Sequence, residues 1–403
     1  MLEPSIDIGR RVEVHRRAKG LSREKLAAMA EVSPALVKAI ETGKRTLTLR
    51  TAQRLAPILG VRDLSDLYGD AVQLPMGTRA THEGMYDLRR VLTTWQLHVE
   101  GEPVSSEYLR GAVDMAWSTW HHSRQQRSEV AVLLPGMIEQ GQRAVRLLEG
   151  AERRRAKSML AQTYHLAQAY MAWHGERELV WLTVEKGMTT ALESDDPVTI
   201  AFATWYSAHL LRSVGRSEEA LERLADARAL VTAAAGDNPT TEQLAMLADL
   251  WNCSALTRAR DHDQSAWADW SNGERAVAAL PAGYVHPWTR VGTVLSEVYA
   301  VMIATELGDA EEARRRAQNL DPASIPSVDR QARHLIELAR GADLDGSKEG
   351  TVHLLSRAAS VSAETVKFTP PAREMIDRLL LSAPSTLRAD VESLARATSV
   401  TRD

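Results

Sequence analysis

Along nearly the whole chain apolar residues recur at three- and four-residue spacing, and no stretch alternates with period two in Val, Ile and Thr. The pattern predicts an all-α protein. Over residues 1–70 the elements are short, at 6–19, 22–29, 33–42, 49–59 and 63–68, which makes a five-helix domain. Ser22 and Ser33 stand where N-caps belong, and Gly20 and Gly43 where helices stop. A polar stretch with Gly and Pro, Gly69 to Gly84, opens a linker and connecting helix over 71–103. From 104 to 403 the pattern changes to paired long helices. Their hairpin turns fall at His174-Gly175-Glu176, Gly215-Arg216-Ser217, Asp261-His262-Asp263 and Gly308-Asp309-Ala310, spaced by 40, 46 and 47 residues. Beyond Pro326 a helix runs to about Arg340, a Gly/Asp turn follows, and another helix starts near Glu349. A last helix at about 385–398 caps the stack with a polar face.

Charge divides the chain the same way. The net charge is −4, yet residues 1–62 hold 13 Lys+Arg against 6 Asp+Glu, leaving +7 there and −11 in the remainder. A small basic module suits a phosphate backbone, and an acidic body must face something else. The one cysteine, Cys253, makes neither a disulfide nor a thiolate cluster for a metal. With no run of about eighteen apolar residues and no apolar leader after Met1, the expected location is cytoplasmic and nucleoid-associated, with no membrane contact.

Residues 8–61 carry Gly20-Leu-Ser-Arg-Glu-Lys-Leu-Ala-Ala-Met-Ala-Glu-Val-Ser33, then Val37-Lys-Ala-Ile-Glu41-Thr-Gly43-Lys-Arg. Leu26, Ala27, Val32, Val37 and Ile40 are spaced to bury two short helices against each other, and Leu55, Leu59 and Val61 close the core. This segment resembles the helix-turn-helix of the phage Cro/C1-repressor class, the Xre family. The resemblance implies that the second helix of the motif enters the major groove of double-stranded operator DNA. Ser33, Pro34, Ala35 and Lys38 then face base edges, and Ser22, Arg23, Lys44, Arg45 and Arg50 serve the phosphates. Pro34 and Ala35 offer no side-chain hydrogen bond, so direct readout is modest. Arg16 and Glu41 hold positions that pair in that family. Glu31 takes a turn position usually given to Gly, a substitution that costs about 1 kcal/mol if the turn is left-handed.

In the body, Gly215-Arg-Ser-Glu-Glu-Ala-Leu221 and Leu307-Gly-Asp-Ala-Glu-Glu-Ala313 resemble the mid-repeat signature of tetratricopeptide repeats, whose period is about 34 residues. The longer spacing here implies longer helices or added connections. Phased on the turns, the first helix of each pair brings Gln162, His165 and Trp173, then Phe202, Trp205, His209 and Arg212, then Trp251, Asn252 and Arg258, then Tyr299 and Met302 to the inner side of a superhelix. Arg212 and Arg258 match in phase, as do Trp205 and Trp251. Each Trp taken singly reads first as core filler, and each Arg is also readable as solvated. Read functionally, the two arginines anchor a carboxylate of a bound peptide and Asn252 bonds its backbone.

An Xre-type head joined to such hairpins resembles the peptide-sensing transcription regulators of Gram-positive quorum sensing. That resemblance implies a short peptide effector, a homodimer and effector-dependent DNA binding. Two other readings stay open: a protein-interaction scaffold tethered to DNA, and a regulator sensing an apolar small molecule.

Signs of catalysis are weak, and the expectation is no enzyme, no catalytic residue and no cofactor. Gly341 to Lys348 inverts the order of a phosphate loop, and no strand precedes it. Asp261-His262-Asp263 sits on one turn and cannot converge on a metal unaided. His121 and His122 point to different helix faces.

Overall fold

The computed structural model describes residues 4–30, 32–45, 47, 49–61, 67, 82–94, 98–172 and 176–400. Expectations for Glu31, for a helix over 63–68 and for Trp173 therefore lie outside the described residues, apart from the buried Leu67. Two compact units form, Met1–Thr78 and Arg79–Asp403, and among the described residues no strand occurs.

The first unit holds α1 (Pro4–Ala18), α2 (Arg23–Met29), α3 (Pro34–Glu41) and α4 (Leu49–Leu59). Ser22 caps α2 by accepting from the Lys25 amide at 3.1 Å, and Ser33 caps α3 by accepting from the Leu36 amide at 3.1 Å. Pro34 fits the first turn of α3, where its missing N–H would be unsatisfied in any case. The core gathers Ile8, Val12, Leu26, Ala27, Val37, Ile40, Leu55, Leu59 and Val61, with Val32 partly buried against it. One contact was hidden in the sequence: a Cβ on Gly9 would lie 2.2 Å from the Ile40 carbonyl oxygen, so α1 crosses α3 where only glycine fits.

The second unit opens with α5 (Met85–Thr93), which the sequence placed in a connecting segment. Its apolar face, Met85, Leu88, Val91 and Leu92, joins the core of this unit, and it packs on α7 and α9. The hairpins follow: α6 (Ser106–His122) with α7 (Gln126–Leu147), α8 (Gly150–Met171) with α9 (Arg177–Leu192), and α10 (Pro197–Ser213) with α11 (Ser217–Ala235). Next come α12 (Thr241–Arg260) with α13 (Ala266–Ala278), and α14 (Thr293–Glu306) with α15 (Ala310–Asn319). Each helix packs on its successor, and the alternate helices α6, α8, α10, α12 and α14 also pack on one another as an inner layer. This is the helical-hairpin superhelix read from the turns, the first of which, His174-Gly175, lies outside the described residues. Gly215 and Gly308 adopt φ +78°, and His262 adopts φ +58° at the third turn. Helix lengths of 22 residues in α8 and 20 in α12 account for part of the long repeat. The loop 279–292 accounts for more.

That loop and the C-terminal helices close the stack. α16 (Val328–Leu344) packs on α6 and on α17 (Lys348–Val361), α18 (Ala363–Phe368) and α19 (Pro370–Ser382). It runs through Gly341, so the expected turn there moves to Gly346, at φ +76°. His121, fully inside, lies 2.7 Å from the Trp288 carbonyl oxygen and 3.1 Å from the Ser327 hydroxyl. The Gln126 side-chain amide and the Asp329 carboxylate both lie against the Thr365 hydroxyl, at 2.6 and 3.1 Å. α20 (Arg388–Ala397) packs on α17 and α19 as the cap.

Candidate nucleic-acid interface and effector site

Val37, Ile40 and Glu41 anchor α3, which turns Ser33, Pro34, Ala35 and Lys38 outward. Lys44 and Arg45, just past its end, are also exposed, as are Ser22 and Lys25 on the preceding helix. Lys25 was not singled out in the sequence. Arg50 lies in α4, and its side chain falls outside the described set.

Beneath this surface Glu41 is enclosed by two guanidinium groups. Arg16 donates from Nε at 2.5 Å and Nη2 at 3.1 Å, and Arg23 donates from Nε at 2.6 Å. Burial pushes the Glu41 carboxyl up, but the bonds and charges of both arginines together leave it below its ordinary value. The Arg16–Glu41 pair is thus present, and Arg23, expected only at phosphates, belongs to it. It is held through its Nε, and its side chain stays 33% exposed.

In the second unit the inner helices bury polar side chains in a continuous string. His165 of α8 stacks on Tyr206 of α10, with ring centroids 5.0 Å apart and planes 5° from parallel. Gly187 of α9 leaves the room His165 needs, since a Cβ there would lie 2.9 Å from the ring. Trp205 meets His209 edge-on at 4.3 Å. His209 Nδ1 lies 2.5 Å from Arg212 Nη2, and Arg212 Nη1 reaches the Thr257 hydroxyl at 3.2 Å and Cys253 Sγ at 3.5 Å. Burial holds His165 down to about 3. His209 is lowered well below its ordinary value by burial first and then by Arg212, Arg330, Arg260 and Arg333. Both rings are neutral near pH 7.

Several atoms of this string are buried without a protein partner: both ring nitrogens of His165, Gln168 Oε1, Trp205 Nε1, His209 Nε2 and Arg212 Nε. Asn252, against Gly273 of α13, has both amide atoms in the same state.

The remaining expected residues go elsewhere. Arg258 matches Arg212 in phase, yet Asp269 and Asp263 hold it at 2.9 and 3.0 Å. The matching positions of the preceding hairpin are Ser217 and Arg223, and among the described residues no carboxylate pairs with Arg212. Trp251 lies under the Arg228 guanidinium, 3.9 Å from its ring centroid, and does not share the surroundings of Trp205. Tyr299 is core, packed with Ala255 and Leu256, and burial pushes its hydroxyl up to about 12. Among the described residues no cluster of His, Cys, Asp or Glu could hold a metal ion, and no helix is long and apolar enough to cross a membrane.

Residues 15–67 match the helix-turn-helix family model. The first unit is a DNA-binding domain of the helix-turn-helix, Cro/C1-type class, with α2 and α3 as the two helices of the motif. No curated protein matches the chain. Two solved structures are similar to it. One is Bacillus thuringiensis PlcR in complex with the peptide PapR7 and DNA, at 10% identity and TM-score 0.28, covering 68% of this chain and 95% of that one. The other is the apo form of the competence regulator ComR from Streptococcus vestibularis, at 10% identity and TM-score 0.29, covering 99% and 100%.

Proposed function

We propose that this chain is a transcription regulator that binds operator DNA as a homodimer and changes that binding when an effector, a short peptide, occupies the interior of its hairpin unit. Ser33, Pro34, Ala35 and Lys38 of α3 face the bases; Ser22, Arg23, Lys44, Arg45 and Arg50 face the phosphates. His165, Trp205, His209, Arg212 and Asn252 belong to the effector site.

The observation that carries the gated half of this reading is the string of buried, unpartnered polar atoms on α8, α10 and α12. Leaving one such group unsatisfied costs about 1–3 kcal/mol. A hairpin stack serving only as a scaffold is better built with apolar residues there. Polar groups that await a partner fit a ligand site.

The test is a mobility shift with the full-length protein on DNA from upstream of its own gene, with and without the dialysable fraction of the producing culture. The expected result is a change in retained DNA that protease treatment of that fraction abolishes. A response surviving protease points to a small molecule. No response, together with capture of a folded protein by the hairpin unit, overturns the reading in favour of the scaffold.

A further inference from the structure

The reading of the interior as an effector site leaves the chemistry of the effector open, and the geometry of α10 narrows it. Trp205, His209 and Arg212 stand at i, i+4 and i+7, on one stripe of the helix. Arg212 is 9% exposed, and its bonds go to a thiol, a hydroxyl and an imidazole nitrogen. Among the described residues no carboxylate pairs with it. A buried guanidinium without a counter-charge is costly, and a structural arginine at this depth is normally paired. The next hairpin shows the paired solution, with Arg258 between Asp263 and Asp269. Asp249, the fully buried acid of α12, sits beside Thr289 and under the influence of Arg330.

The hydrogen-bond pattern fixes which atoms are donors. Arginine only donates, so His209 Nδ1, facing Arg212 Nη2, accepts, and the proton of the neutral ring is on Nε2. Nε2–H of His209, Nε1–H of Trp205 and Nε–H of Arg212 are then three buried N–H groups with no acceptor. We propose that the Arg212 guanidinium, through its unpartnered Nε–H, is an anion site for a carboxylate of the effector, a peptide C-terminus in the peptide reading, whose charge is the missing partner of Arg212. The inference rests on the interior being the effector site, and its test separates the two.

The full-length protein is melted in sodium formate or acetate and in sodium chloride at equal ionic strength. It is also titrated, by tryptophan fluorescence, with a random pentapeptide pool bearing free C-termini and the same pool amidated. Formate and acetate should raise the melting temperature above the chloride control in wild type and in Arg258→Gln, but not in Arg212→Gln. The free-acid pool should bind at least about tenfold tighter than the amide, the worth of one charge-assisted bond. Equal melting in carboxylate and chloride overturns the anion site, as does equal binding of the two pools. Both comparisons use wild type alone, so misfolding of Arg212→Gln leaves them standing. A carboxylate response with no binding of either pool supports the anion site and overturns the peptide effector.

Discussion

Replacing Glu41 by Gln puts a neutral amide against Arg16 and Arg23 at nearly unchanged volume. The Glu41 side chain is fully enclosed, Arg16 is 9% exposed and Arg23 33%. Breaking a buried pair from one side costs about 3–5 kcal/mol. Arg23 can rehydrate, and Arg16 keeps its bond to the Leu21 carbonyl oxygen at 2.8 Å, so the lower end, about 3 kcal/mol, applies. A unit of this size is stable by only about 3–10 kcal/mol, and each kcal/mol moves its midpoint by about 4–8 °C. Calorimetry of the full-length Glu41→Gln protein should show one transition falling by about 12–24 °C while the larger one stays. The pH dependence has a definite sign. Because the folded carboxyl is depressed, its contribution is present above the unfolded value of 4.5 and is lost as pH falls through the lower folded value. A change below about 1 kcal/mol would refute the reasoning and mark the cluster as merely solvated.

Other outcomes follow from the same contacts. Lys44→Ala with Arg45→Ala should weaken binding to all duplexes alike and reduce the salt slope by about 1 per charge removed, read by fluorescence anisotropy across salt. Gly9→Ala should lower head stability by about 1–3 kcal/mol or more, because its Cβ meets the Ile40 and Glu41 carbonyl oxygens, at 2.2 and 2.9 Å, and backbone cannot yield like a side chain. Burial holds His121 and His165 down to about 3, and His286 and His334 to about 4. Their unfolded forms protonate near 6.5, so these rings together lower hairpin-unit stability as pH falls below that, by up to about 1.4 kcal/mol per pH unit for each ring, offset in part by Asp249, whose carboxyl burial raises to about 7. Urea midpoints unchanged between about pH 7 and pH 5 would contradict this.

Features set by local chemistry were legible in the sequence. Ser22 and Ser33 advertise their helices because a cap needs only the next turn, and Gly215 and Gly308 advertise turns because φ near +78° suits glycine. Arg212 and Arg258 read as equivalents, since helical phase reports position and not neighbours. Asp263 and Asp269 lie on the following turn and helix, and they make the difference. Gly9 resembles any helical residue until α3 is laid across it. Gly341 read as a stop, but α16 is held by Leu335, Ile336 and Ala339 in the core and continues past it. The loop 279–292 has no periodicity, so its reach to His121 through the Trp288 carbonyl, and to Asp114 through the Trp288 ring N–H at 2.9 Å, was invisible.

Sequence-selective DNA binding through α3 is measured most directly by titrating the full-length protein on its own upstream region and on random duplex of equal length. Wild type is compared with a variant in which Lys38, Lys44 and Arg45 are all changed to Ala. Wild type should show a clear preference for the upstream region, and the variant should lose it. Equal retention of both duplexes by wild type, or an unchanged preference in the variant, would contradict the role given to α3.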